Sequence, residues 1–220
     1  MKYHPDIELL LKYTSGQLEP SLAVAVGLHH QQCETCQQRV AELEIVGGET
    51  IESMPALASH QDQIVLQDFD RLLGDIAQIA PVANVKSEYD DLAVAESDID
   101  IVDKLTRQQF EDMDWQRVST KIWKATIAMN DPDFEVELLK FSANAKIPQH
   151  THEGDEYTVV LQGDFSDSQG HYKEGSFIVQ DQNDEHSPIA GENGCVCLAI
   201  TNAPLKFTGT LGPILNWFSH

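Results

Sequence analysis

Positive charge is what this 220-residue chain has least of: 14 lysines and arginines stand against 36 aspartates and glutamates, a net charge of −22. The deficit is spread along the chain, at −8 over residues 1–80, −4 over 81–110 and −10 over 111–220. Such a surface repels nucleic-acid phosphate and anionic lipid, so direct nucleic-acid or membrane binding is not expected, and basic protein partners are favoured. Long apolar runs are missing as well. None approaches the ~20 residues that span a bilayer, and the opening MKYHPDIELLLKY has charge on both sides of a very short apolar stretch, unlike an export signal. Cysteine is scarce and unevenly placed: the four residues fall in two close pairs, Cys33/Cys36 and Cys195/Cys197. In a chain without export features, close pairs suggest metal or redox chemistry more than a disulfide framework, and a cytoplasmic protein is expected. Internal repeats and low-complexity tracts are absent too. What remains, 41% hydrophobic and 23% charged residues, is ordinary for a folded protein with room for two small domains.

Three zones follow from the pattern. Residues 1–85 read as a helical domain. Ile7, Leu10 and Leu11 recur at helical spacing behind Pro5, and Ser15-Gly16 interrupts them. A second helix opens at Pro20 and runs through Leu22, Val26, Cys33, Val40 and Leu43 until Gly47-Gly48 stops it. A third stripe carries Val65, Phe69, Leu72, Ile76 and Ile79. These helices are short with modest apolar faces, so metal and a partner are expected to complete their order. Residues 86–107 read as an acidic linker, with a short helix near 102–110. Residues 108–220 read as an antiparallel β sandwich or barrel, from short β-branched segments punctuated by Gly163, Gly170 and Gly175. The fold class expected is α+β in two domains.

Two ligand sets of opposite character stand in these zones. The first is soft: His4, then His29-x3-Cys33-x2-Cys36. On one continuous helix the last three share a face at i, i+4 and i+7, and His4 can supply the fourth donor from ahead of the first helix. Tetrahedral His2Cys2 suits structural zinc, whose binding energy contributes directly to folding. His30, three residues before Cys33, competes with His29 on spacing alone. The second set is harder: His150-x-His152-x3-Glu156, with His186 downstream of Gly175. His150 and His152 share a strand face, and Glu156, again an even number of residues away, can join them. Imidazoles with a carboxylate suit zinc or another divalent transition metal and can leave coordination open.

The second set, with Gly163 and Gly175 at their offsets, resembles the two-part cupin signature, although Asp181 and Asn183 replace its usual Pro and Gly and Ala190 its terminal Asn. With both sets together, the chain resembles zinc-binding anti-sigma factors of the ChrR type along nearly its whole length. The resemblance implies His4, His29, Cys33 and Cys36 around an N-terminal zinc, and so favours His29 over His30. It implies His150, His152, Glu156 and His186 around a second metal, also zinc in the family. It further implies a C-terminal cupin barrel and an extracytoplasmic-function sigma factor held by the helical domain. Release would follow singlet oxygen or organic hydroperoxide perceived through the cupin. A homodimer through the cupin domain belongs to the same set of expectations. An enzyme, a cupin dioxygenase or hydrolase with an accessory zinc domain, is the competing reading. Against it, Glu153 and Asp155 are the only obvious candidate bases near the ligands. Cys195 and Cys197, on one face of a strand, could sense oxidation or be inert core thiols. Trp115, Trp123 and Trp217 read as packing residues.

Overall fold

The computed structural model describes residues 3–54 and 103–209. The third helical stripe (65–79), residues 86–102 of the linker and Trp217 lie outside the described residues. Helix α1 spans Ile7–Thr14, α2 Pro20–Gln32 and α3 Glu34–Ser53. Asp6 caps α1, accepting from the Leu9 amide at 2.8 Å. A single helical turn follows at 103–106.

Among the described residues nine strands follow: β1 Gln116–Arg117, β2 Ile122–Thr126, β3 Glu135–Phe141, β4 His150–His152, β5 Glu156–Ser166, β6 His171–Lys173, β7 Phe177–Gln180, β8 Ile189–Thr201 and β9 Leu205–Phe207. All pairings are antiparallel. The large sheet runs β1-β2-β3-β8-β5, and β6 and β7 share the far edge of β5; β4 and β9 form a separate ribbon. Register shifts between β5 and β8 fall at Val160/Gln162 and Gly163/Phe165. Gly163, at φ +72°, is needed there because a Cβ would stand 2.2 Å from the Gly194 carbonyl oxygen.

The helices lie against one face of this sheet. Leu10, Leu22, Val26 and Val40 share a core with Val159, Leu161, Phe177, Leu198 and Ile200. The alternate residues of the same strands, Val160, Ile178, Cys195 and Cys197, enter a second core with Phe165 and Tyr172. Strand β8 is therefore buried on both faces, which is why CVCLAI reads as an unbroken apolar run instead of an alternation.

Two local expectations differ from the structure. The helix expected from Pro20 to Gly47-Gly48 is broken at Cys33, which is extended at φ −119°, ψ 99°. The second piece then runs through both glycines to Ser53. Nothing packs within 4 Å of where their Cβ atoms would be, so the only cost of Gly47 and Gly48 is helix propensity, about 1 kcal/mol each, which a long helix absorbs.

Candidate functional site

Breaking the helix at Cys33 changes how the first ligand set is built. His29 comes from the last turn of α2, Cys33 from the corner, Cys36 from the first turn of α3 and His4 from the segment ahead of α1. The four donor atoms nevertheless converge. His4 Nδ1 lies 3.3 Å from Cys33 Sγ, 3.5 Å from Cys36 Sγ and 3.4 Å from His29 Nε2, and His29 Nε2 is 3.2 Å from Cys36 Sγ. Zn–N bonds near 2.0 Å and Zn–S bonds near 2.3 Å, arranged tetrahedrally, separate their donors by about 3.3–3.8 Å. The spacing is that of a cage sized for one such ion, and the cluster could bind zinc. His30 is not a member of it.

The electrostatics point the same way. Burial lowers the His29 pKa to about 4, against a hydrogen bond to the Gly175 carbonyl that opposes the shift. Its ring is therefore neutral, and Nδ1–H donates to Gly175 O at 2.6 Å, which leaves Nε2 as a lone pair facing the cage. Burial, with Cys33 adjoining, pushes the Cys36 thiol up to about 11. Two adjacent thiolates in this site thus require a cation to balance them.

In the second set, β4 carries His150 and His152 on one face, and a backbone bridge between His150 and His186 adds the third imidazole. His186 Nε2 lies 2.9 Å from His150 Nε2 and 3.4 Å from His152 Nε2. All three rings are buried. Each outer nitrogen faces an oxygen: His150 Nδ1 the Pro148 carbonyl at 2.9 Å, His186 Nδ1 Asp167 Oδ2 at 2.9 Å, and His152 Nδ1 Glu156 Oε2 at 3.1 Å. The last contact is close but poorly aligned, and His152 Nδ1 has no well-formed hydrogen bond. Burial also holds His150 near pKa 4, so its inner nitrogen is a bare lone pair. Three ring nitrogens converge here at 2.9–3.4 Å, and such a meeting needs a proton or a cation between them, so this donor set also fits a metal ion.

Glu156 meets the histidines differently from the sequence expectation. It opens β5 beyond a turn and is not on the strand that carries His150 and His152. Its carboxylate lies behind His152 and accepts from Thr158 Oγ1 at 2.7 Å. Burial raises its pKa, but His152 and Thr158 outweigh this and the net shift is downward, so it is ionised. His150, His186 and Glu156 themselves line a mostly apolar cavity of about 50 Å³, with Leu139, Phe165 and Cys197 among its other walls.

Several contributors carried no sequence signal. Asp167 and Gln180 hold His186, Gly175 orients His29 through its carbonyl, and Asp131 accepts from the Ser21 amide at 3.1 Å and from its hydroxyl. Their roles depend on contacts between segments far apart in sequence. Cys195 and Cys197 are buried free thiols with their sulfurs 3.2 Å apart. The hydrogen bond with the Cys195 thiol and burial raise the Cys197 pKa well above its ordinary value.

Comparison with known proteins follows the same division. Residues 104–204 match the family described as the ChrR cupin-like domain. Over 222 aligned residues the chain is 29% identical to the anti-sigma-E factor ChrR of Cereibacter sphaeroides, covering 99% of this chain and 98% of that protein. Its structure is similar to the crystal structure of Rhodobacter sphaeroides SigE in complex with the anti-sigma ChrR. The TM-score is 0.68 at 26% identity, with 91% of this chain and 98% of that chain covered. The α+β fold, with N-terminal helices and a cupin-like antiparallel β domain, is thereby shown.

Proposed function

We propose that this chain, similar along nearly its whole length to the anti-sigma-E factor ChrR, is itself an anti-sigma factor. The observation that carries the reading is the four-donor cage of His4, His29, Cys33 and Cys36. Zinc there would tie α2, α3 and the segment ahead of α1 into one rigid unit. That unit and α1 present apolar residues with no cover among the described residues: Ile7 and Leu11 on α1, and Ile45, Val46 and Ile51 on α3. Ile51, the most open at 73% exposed, sits in the last turn of a helix that otherwise buries only Cys36 and Val40. Apolar side chains in such number on one helical layer fit a protein partner. The net charge of −22 favours one whose surface is basic, as that of a sigma factor built to contact nucleic acid is.

In this reading residues 1–85 grip an extracytoplasmic-function sigma factor in the cytoplasm and residues 108–220 sense. His150, His152 and His186 hold the second metal, zinc or another divalent ion, and the ionised Glu156 would complete the set by turning its carboxylate from His152 Nδ1 toward them. The metal would supply an open coordination position to an oxidant. Singlet oxygen or an organic hydroperoxide perceived there would then release the sigma factor, and no substrate is turned over.

Co-purification with the cognate sigma factor tests the reading. A stoichiometric complex lost on Cys33→Ser with Cys36→Ser supports it. A complex that survives the double substitution and full zinc removal contradicts the role given to the cage. Turnover of a small molecule at the histidine trio, without any sigma complex, would establish the enzyme instead.

A further inference from the structure

One edge segment touches both donor clusters. It consists of β6 and β7, which pair in succession with the same strand β5 and not with each other, joined by a bend that carries Gly175 at φ +81°. At that bend it meets the thiolate cage. Gly175 O takes the His29 Nδ1 proton at 2.6 Å, Phe177 packs edge-on against the His29 ring, and the Phe177 amide donates to Tyr3 O at 3.2 Å. Tyr3 adjoins His4, and its ring stacks on Tyr172 of β6 with centroids 4.6 Å apart. Tyr3 also lies close over Gly170, where an added Cβ would come within 2.0 Å of its hydroxyl.

The same segment, with the turn that leads into β6, also holds the histidine trio. Tyr172 donates its hydroxyl proton to Asp167 Oδ1 at 3.2 Å, and Asp167 Oδ2 accepts from His186 Nδ1 at 2.9 Å. Gln180, the last residue of β7, sets its side-chain amide group 2.7 Å from that same nitrogen, whose proton it can share with Asp167 only through its carbonyl oxygen. The Asp167 carboxylate is wholly buried, and amides of its own turn, Gln169 and Gly170, also donate to Oδ1. A buried carboxylate behind an imidazole fixes its tautomer and direction, and removing such a partner costs a metal site about 10- to 100-fold in affinity.

We propose that the β6–β7 edge segment couples the two clusters, with Asp167 and Gln180 as positioning residues for His186. Filling the histidine trio fixes His186, hence Asp167, Tyr172 and the turn, and so fixes Tyr3 and His29 at the thiolate cage. Coupling of this kind is reciprocal: the factor by which metal in the trio tightens the cage equals the factor by which metal in the cage tightens the trio. This rests on the metal reading given above and adds the route by which a change at the cupin reaches the grip.

Cobalt(II) is the probe, because thiolate ligands give it intense charge-transfer absorption that imidazole and carboxylate ligands do not. In the full-length chain, chelator competition monitored at that absorption gives the affinity of the cage alone. Asp167→Asn, which keeps shape, and Gln180→Ala, which removes the second support, are each expected to weaken the trio. Each should also weaken the cage by about 5-fold or more, the lower bound of ordinary coupling. Tyr172→Phe, which cuts the hydroxyl link but keeps the ring, should remove most of the effect of Asp167→Asn on the cage. Cage affinity unchanged within about twofold in both single variants, with circular dichroism as for wild type, would overturn the coupling while leaving both metal sites standing. A wild-type chain that never develops thiolate–cobalt absorption would sink the metal reading itself, and the coupling with it.

Discussion

Asp131 and Ser21, 110 residues apart, meet at the start of α2: the buried carboxylate accepts from both the amide and the hydroxyl of the serine. A residue of the β domain thus caps a helix of the grip, at an end where Glu19 offers no side-chain cap of its own.

Replacing Asp131 by alanine should therefore destabilise the chain by about 2 kcal/mol, the usual worth of a charge-assisted cap with a buried hydroxyl left unpaired. Urea denaturation of the two proteins measures it. A loss below about 0.5 kcal/mol would show that the contact is not made in solution.

Cys33→Ser with Cys36→Ser should abolish tight zinc binding and loosen the corner between α2 and α3, while Leu22, Val26 and Val40 keep both helices on the sheet. Metal analysis and helical circular dichroism are the readouts: the metal is lost and most of the helical signal stays.

On the exposed faces the expectation is reversed. Leu11→Asp and Ile51→Asp should leave stability within about 0.5 kcal/mol, because both side chains are largely in water. Affinity for the sigma factor, read by calorimetry, should fall at least about tenfold, roughly 1.4 kcal/mol, if these residues are anchors. Unchanged binding by both variants would place the interface elsewhere.

Acid should weaken the metal-free protein. His29 and His150 have pKa values near 4 in the folded chain, below the ordinary 6.5, so between these values the unfolded chain binds more protons. Stability is then complete above about pH 6.5 and is lost as pH falls toward 4, by up to about 1.4 kcal/mol per pH unit for each group. Cys36 sets an opposite edge: its raised value, about 11 against an ordinary 9, makes stability decline as pH rises through that window. Urea midpoints of chelator-treated protein from acid to alkaline pH check both signs.

Both ligand sets were legible as residue types at fixed intervals, and the β character of the second half was legible from β-branched segments and turn glycines. The shape of the first site was not. Periodicity alone let α2 continue through Cys33, since HHQQCETCQQR contains neither proline nor glycine. The place of Glu156 was missed because even spacing cannot register the turn that separates β4 from β5. Ile7, Leu10 and Leu11 looked equivalent, yet only Leu10 is buried. A helix too short to show a clear stripe does not announce which residues meet the sheet and which are left for another protein. The supports of His29 and His186 come from segments far away in the chain, where sequence pattern is silent.

The corner at Cys33 has one more consequence. No residue from Leu28 to Val46 forbids a straight rod, so the bend is held by what meets at it and not by the covalent chain. Letting go of the ion would remove the reason to turn, and two helical pieces could realign end to end. A partner moulded to the bent form would lose its fit by a change of outline, before any helix had melted.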